Sequence, residues 1–406
     1  MNDDRDQDAS PAQAGNVVGH SADPEQHLRA RILVTWRKDL IHFNKTRDNH
    51  LGRLGTYHDV TVLVRRSARL GPHLDTSNTR IVHAPVDGLL QFYQWARTWA
   101  AAAHKKRPFD VVLVPVGEEP AGHLIWKKLQ TARLAFDLWD VPGVLVLPRL
   151  SFKRLIAPLY RTVIRRAVRD ADLVAVTGLR DAYDHLIPAN TPCLELDNGV
   201  DTARYDTATA DDSWWKHQTD RLRLVYVGIM SKYRGCIDLA RAAAKAHCTG
   251  VPLELIMVGP GARSIRSRVH ALVGDAPIQI LDPIDSSKIP ALLKSATIGC
   301  SPLWDIQKYR SSFPIKINEY LAAGIPILAS DTPGHRIAVP EVCGRFFKPG
   351  DVESLSTTIA TMNSDAGWRR DATEAAKIAA AGRDWELVVK SLAQGLGTLV
   401  HQKVTD

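Results

Sequence analysis

Ser311-Ser-Phe-Pro-Ile-Lys-Ile-Asn-Glu-Tyr-Leu-Ala-Ala-Gly-Ile-Pro-Ile-Leu-Ala-Ser330 decides how the rest of the chain is read. It reads as a loop entering a helix at about 315–323, a stop at Gly324, and then a strand. A helix entered from a polar loop offers unpaired amides and the positive end of its dipole to an anion. Lys316, in the first turn, adds a formal charge there. Glu319, one turn on, is placed to accept hydrogen bonds from paired hydroxyls. A plain turn with a lysine and a glutamate on a solvated face would carry the same letters, so the flanking segments must decide.

Toward the N-terminus of that stretch, short apolar runs alternate with helical patterns. Arg221-Leu-Arg-Leu-Val-Tyr-Val227, Leu253-Glu-Leu-Ile-Met-Val258, Ile278-Gln-Ile-Leu281 and Thr297-Ile-Gly-Cys300 read as strands, with Ile325-Pro-Ile-Leu-Ala329 following Gly324. An earlier set has the same character: Arg31-Ile-Leu-Val-Thr35, Val60-Thr-Val-Leu-Val64, Val111-Val-Leu-Val-Pro115, Ala132-Arg-Leu-Ala-Phe136, Val144-Leu-Val-Leu147 and Leu173-Val-Ala-Val-Thr177. Helical stretches at 89–103 and 121–129 lie between them. Continuous apolar strands alternating with helices predict parallel, doubly wound sheets. A polar break at about 202–219 separates the two sets and predicts two α/β domains, in keeping with a length of 406 residues.

Further motifs lie in the second set. Val225-Tyr-Val-Gly-Ile-Met-Ser-Lys-Tyr-Arg-Gly235 is a strand, a glycine and a basic loop, with Gly228, Ser231, Lys232 and Arg234 as candidate phosphate contacts. Val258-Gly-Pro-Gly-Ala262 places Gly259 and Gly261 after a strand, where backbone can approach a ligand closely. Leu196-Asp-Asn-Gly-Val-Asp-Thr202 reads as a turn closing the first domain. A basic surface loop and common glycine turns remain the plainer readings of each segment alone.

In this order the segments resemble the retaining GT-B glycosyltransferases of the family 4 (group 1) type, over roughly 195–347. The P-x-K-x-x-E-Y form of Pro314 to Tyr320 resembles a recurrent variant of the family's signature, which carries a pair of glutamates before a small-residue helix and strand. Glu319 matches the second glutamate, which the resemblance assigns to the nucleotide ribose. The first falls on Ser311, and the family's arginine after the first loop glycine falls on Ile229; Lys232 is the candidate substitute. Arg234 matches the family's lysine before glycine. The resemblance implies two Rossmann-like domains facing across a cleft, with a nucleotide-sugar donor on the C-terminal one. It further implies that Arg234, Lys316 and the amides near Ser311 and Ser312 stabilise the departing nucleoside diphosphate, where transition-state charge gathers. Retention of configuration follows from the resemblance alone.

The N-terminal half agrees with the family in layout and should hold a carbohydrate or lipid-linked acceptor. Phe136-Asp-Leu-Trp-Asp-Val-Pro142 ends a strand at the edge where open α/β sheets carry their sites. Asp140 there is the candidate contact to the acceptor hydroxyl or reacting sugar; a turn or helix cap is the alternative. Arg37, Lys38 and His42, in the loop after the first strand, are candidate contacts to an anionic acceptor, or simply solvated loop charges. The segment 149–169 carries basic residues and no acidic one. Pro158 is expected to open a helix, with Arg161, Arg165 and Arg169 on one face and Leu159, Val163 and Ile164 on another. Such a helix either docks on an anionic membrane surface or presents a solvated basic face.

Composition narrows the classes. Hydrophobic residues make up 45% and charged residues 24%, ordinary for a globular protein, and the net charge of +8 favours anionic partners. The five scattered cysteines form neither a metal-ligand spacing nor a disulfide framework, which points to a reducing cytoplasm. The acidic start lacks a signal-peptide pattern, and no run reaches the length of a membrane span. No GxxxxGK[ST], no GxGxxG after the first strand, and no HExxH or Cys/His cluster is present. Basic charge without interleaved aromatics speaks against nucleic acid.

The expected organisation is a disordered tail over 1–29, an acceptor domain over 30–205, a nucleotide-sugar domain over 206–384, and a helix over 385–406 packing back on the first domain. The expected activity is glycosyl transfer to an acceptor hydroxyl, in polysaccharide or glycolipid assembly, with no cofactor or metal. The expected location is cytoplasmic, with the inner face of the membrane within reach. A catalytically silent GT-B binding subunit and a nucleotide-sugar epimerase stay open as alternatives.

Overall fold

The computed structural model describes residues 29–37, 46–70, 78–139, 153–217, 221–310 and 312–405. Residues 1–28 of the expected tail and the expected strand at 144–147 lie outside them.

The first domain has strands β1 (Arg31–Trp36), β2 (Asp59–Val64), β3 (Thr79–His83), β4 (Val111–Pro115), β5 (Arg133–Leu138), β6 (Leu173–Thr177) and β7 (Cys193–Leu196), with helices α1 (Thr46–Arg53), α2 (Leu89–Lys106), α3 (Glu119–Trp126) and α4 (Lys153–Arg169). The second has β8 (Leu222–Val227), β9 (Leu253–Val258), β10 (Ile278–Leu281), β11 (Ile298–Ser301), β12 (Ile327–Ser330) and β13 (Gly344–Phe347). Its helices are α5 (Thr202–Asp206), α6 (Cys236–Cys248), α7 (Ala262–Val273), α8 (Ile289–Lys294), α9 (Gln307–Arg310), α10 (Ile315–Ala322), α11 (Pro333–Ala338), α12 (Val352–Ser364) and α13 (Ala366–Ala381). The chain then returns to the first domain as α14 (Trp385–Thr405).

Both sheets are parallel throughout the described strands. The first runs β3-β2-β1-β4-β5-β6-β7 and the second β10-β9-β8-β11-β12-β13. Strand order therefore reverses between β1 and β4 in one sheet and between β8 and β11 in the other. At such points the loops diverge to opposite faces and leave a crevice at the carboxyl edge, where open α/β sheets bind ligands.

The central strands are nearly all buried, because helices cover both faces. In the first domain α2, α3 and α4 close one core, with Phe92, Ile125 and Ile164. On the other face α1 supplies Leu51 and α14 supplies Trp385, Leu392 and Leu396. In the second domain α6, α7 and α12 cover one face, while α8, α10 and α13 cover the other.

Two expectations are corrected. The polar break at 202–219 is no free linker. It folds into α5 and a short turn at Asp212–Trp214, and Tyr205 and Trp215 are buried in the second domain's core. The crossing itself lies earlier, at 197–202. Pro158 does not open α4, which starts at Lys153 and carries the proline inside. The expected apolar stripe of α4 also divides: Ile164 is buried with Ala167 and Val168, whereas Leu159 is 67% exposed and Val163 faces out beside it. Helical spacing puts position 164 near 167 and 168, on the side facing β-sheet, and leaves 159 and 163 beyond its edge.

Candidate functional site

The carboxyl edge of the second sheet gathers most of the donor candidates. Gly228 ends β8 and Gly259 ends β9, and their loops lie against each other: Gly228 N–H donates to Val258 O at 2.9 Å and Met230 N–H to Pro260 O at 2.7 Å. Gly259 has φ +142°, and an added Cβ there would sit 2.2 Å from Gly228 O, so a side chain is excluded twice over. A Cβ at Gly261 would lie 2.3 Å from Met230 O. A Cβ at Gly228 would come within 3.2 Å of Lys316 Nζ. The glycines thus lower the floor of the crevice until the lysine of α10 reaches over it.

Lys316 is the physical anomaly of the site. Its side chain is buried, its Nζ has no hydrogen-bond partner, and it lies 3.5 Å from the centre of the Tyr226 ring. Burial, with repulsion from Arg234, pushes the ammonium down to about 7. Arg234 is half-buried and stacks its guanidinium 5.3 Å from the Tyr309 ring. Two cations held together, with the buried Glu319 carboxyl as the nearby acidic group acting on Lys316, form an anion receptor whose repulsion a ligand would relieve.

The remaining candidates are arranged less simply. Ser231 and Lys232 follow on the same loop; Lys232 is exposed and lies 5.5 Å from the Trp304 ring, which packs edge-on against Tyr233. Ser312 has its amide engaged by Tyr309 O at 3.1 Å, so α10 itself, entered through Pro314, supplies the helix-end amides. Glu319 is buried, and burial raises its carboxyl against the pull of Lys316 and Arg204. It lines a small cavity with Asp201, Arg204, Tyr205 and Trp385, beside the crossing between domains. Lys316 and Glu319, three residues apart on α10, attract each other but meet different neighbours, Tyr226 for the lysine and Arg204 with Tyr205 for the glutamate. Ser311 lies outside the described residues.

In the first domain Arg37 leaves β1 at the reversal point and its backbone N–H meets Glu118, which follows β4. Tyr93 of α2 donates to the same carboxylate, and burial lifts Glu118 to about 7. The loop expected to be basic thus faces a carboxylate. Lys38, His42 and Asp140 lie outside the described residues.

Several groups escaped the sequence reading. His50 of α1 holds Asp137 at the end of β5, Nδ1 to Oδ2 at 2.8 Å; both are fully buried, and His50 Nε2 and Asp137 Oδ1 have no partner. Asp137 was visible at a strand end, but nothing in the spacing joins it to a histidine on α1. His335 is locked between Ser301 and Ser330 at the ends of β11 and β12, and burial holds it neutral, down to about 4. Tyr226, under Lys316, is one letter of a strand and gives no signal of its own. Among the described residues no group of three or more acidic, histidine or cysteine side chains is gathered as a metal site, and no helix is long and apolar enough to cross a membrane.

Comparison with known proteins places this geometry in a class. The chain superposes on a glycosyltransferase from Rickettsia africae ESF-5, with 15% identity over 92% of this chain and 99% of that one, at a TM-score of 0.69. It superposes equally on sucrose-phosphate synthase from Thermosynechococcus elongatus, with 16% identity over 92% and 100% of the two chains and a TM-score of 0.69. The Anabaena protein HepE, solved in complex with UDP-glucose, gives 16% identity over 91% and 100% and a TM-score of 0.67. The fold is GT-B: two parallel α/β sheets with interleaved helices. More narrowly, residues 221–365 match the family model described as glycosyl transferases group 1. That match covers the six strands of the second domain and its cationic crevice. No curated protein sequence matches the chain.

Proposed function

We propose that the protein transfers a glycosyl group from a nucleoside-diphosphate sugar to an acceptor hydroxyl, with retention of configuration. The observation that carries this reading is the buried, unpartnered Lys316 beside Arg234 at the reversal point of the second sheet. A pyrophosphate supplies negative charge directly against Lys316 Nζ, which has no hydrogen-bond partner. The group 1 family match over the same residues, and the UDP-glucose in HepE, support a nucleotide sugar as donor.

In the transfer, the bond from the anomeric carbon to the donor phosphate breaks and the acceptor oxygen bonds to that carbon. Lys316, Arg234 and the amides opening α10 take up the charge that grows on the diphosphate. Glu319 accepts from the ribose hydroxyls. The acceptor proton passes to the leaving phosphate oxygen on the same face. Asp140 contacts the acceptor or reacting sugar, and Arg37 helps to frame the acceptor crevice. The acceptor is a carbohydrate or lipid-linked sugar of glycolipid or polysaccharide assembly at the cytoplasmic membrane face.

A thermal-shift screen against nucleoside diphosphates and their sugars tests the donor site. One member should stabilise the protein by about 2.7 kcal/mol at a hundredfold excess over Kd, and Glu319→Gln should reduce that gain. A flat response across the panel would remove the donor-site reading.

A further inference from the structure

The chain crosses between the domains twice, at 197–202 and at 383–385, and the crossings lie side by side. Val200 N–H donates to Arg383 O at 2.9 Å and Trp385 N–H to Val200 O at 3.0 Å. Thr202 donates from its amide and its hydroxyl to Asp384 Oδ2, at 3.1 and 2.7 Å. Any rotation of one domain against the other has to be absorbed by these few element-terminal residues.

Helix α10 is built into that crossing. Asn318, only 2% exposed, stands on it between Lys316 and Glu319. Its Nδ2 donates to Asn198 O on the outgoing crossing, and its Oδ1 accepts from Arg383 Nη1 on the return at 2.8 Å. Asn198 in turn donates from Nδ2 to Phe313 O, in the loop that opens α10. Arg383 Nη1 also reaches Ala338 O at 2.6 Å, and its Nε lies 3.5 Å from Asp197 Oδ2. An amide suits the position because it donates to a carbonyl and accepts from a guanidinium at once. A carboxylate loses the donor and an aliphatic chain loses both.

We propose that Asn318 is a positioning residue for the transfer, coupling occupancy of the donor crevice to the angle between the domains. The inference rests on the donor reading of Lys316 and Glu319. A ligand gripped by those two side chains shifts α10, and the Asn318 amide passes that shift to both crossings together. Its neighbours on the helix recognise the donor; the Asn318 amide bonds to the two crossings. Binding and domain closure are then two readouts of one helix position, and they separate when the amide is removed.

The test uses the full chain, Asn318→Leu and Asn318→Ser, with UDP as probe. Without nucleotide, hydrogen exchange at the Val200 and Trp385 amides should be at least ~10-fold faster in the leucine variant, while α6 and α12 exchange as in the parent. With UDP, the parent should become more compact in X-ray scattering; the leucine variant should still bind UDP, but more weakly because closure no longer contributes to binding, and keep its open dimensions. The serine variant, smaller and still polar, is read in the same way should the leucine variant fold poorly. Unchanged exchange at Val200 and Trp385, or full compaction of a variant, overturns the coupling. Failure of the parent to bind UDP counts against the donor reading for uridine nucleotides, while the nucleotide-free exchange still decides whether Asn318 ties α10 to the crossings.

Discussion

Lys316 sets a pH dependence that follows from its surroundings. In the free protein the ammonium is lowered to about 7 by burial and by Arg234. A bound pyrophosphate favours the charged form and raises that value, so binding takes up a proton above neutrality. The pyrophosphate of a nucleotide sugar has no ionisation of its own in this range. Affinity for UDP-glucose should therefore be level below pH 7 and fall by up to about tenfold per pH unit above it, as titration calorimetry would record. Lys316→Met should bind more weakly with no such slope, and a level profile in the parent would sink the assignment. At this scale the lysine and the glutamate were legible, since a loop, a proline and a first-turn cation are local signals. What the letters did not show is where each side chain faces. Lys316 turns to Tyr226, and Glu319 turns to Arg204 and Tyr205 beside the crossing, because residues distant in sequence build those walls.

Elements were readable in proportion to their burial. The interior strands β4 and β6 are nearly continuous apolar runs, and β1, β8 and β9 stay mainly apolar around Thr35, Arg223 and Glu254, as a sheet covered on both faces requires. The edge strands β3, β7 and β13 were not read. Their sequences TRIVH, CLEL and GRFF are half-exposed and have polar or small residues where an interior strand has aliphatics. Helix α4 shows the opposite difficulty, for its basic face is plain in the sequence while its apolar face is not one face. The exposed Leu159, Tyr160 and Val163 lie next to Arg161, Arg165 and Arg166, and the Arg165 guanidinium also donates to His185 O. Such a mixed surface suits anionic headgroups, with each basic residue near the surface contributing about 1 kcal/mol. Replacing Arg161, Arg165 and Arg169 by glutamine should weaken partition onto vesicles rich in phosphatidylglycerol on the order of 100-fold and leave nucleotide binding intact. Equal partition of parent and variant would remove membrane docking from the proposal.

Across the whole molecule, two domains were legible because the strand–helix alternation restarts, and the GT-B arrangement came with the family resemblance. The exact crossing was not legible. The polar letters of 202–219 conceal Tyr205 and Trp215, whose rings enter the second core. Helix α14 has the largest effect at this scale. It buries Trp385, Val388, Leu392, Leu396 and Leu399 against the first sheet. At ~1.5–3 kcal/mol for each large apolar side chain, that burial is comparable to the ~5–15 kcal/mol that holds a domain folded. Truncation after Asp384 should leave the first domain unable to fold while the second remains soluble, as limited proteolysis followed by mass spectrometry would show. A truncated chain melting like the parent would refute this.

The same helix dictates an order of events during synthesis. Strands β1 to β7 leave the ribosome early, yet one face of their sheet is covered only in part, by Leu51 and Leu54, until the residues from Trp385 onward have emerged. The second domain, whose layers are complete by α13, is free to fold before the first is finished. The usual sequence of first domain first should thereby be delayed, with the nascent first sheet keeping a greasy face partly open until α14 is made. A chaperone that shields such surfaces has its longest engagement with this half of the chain.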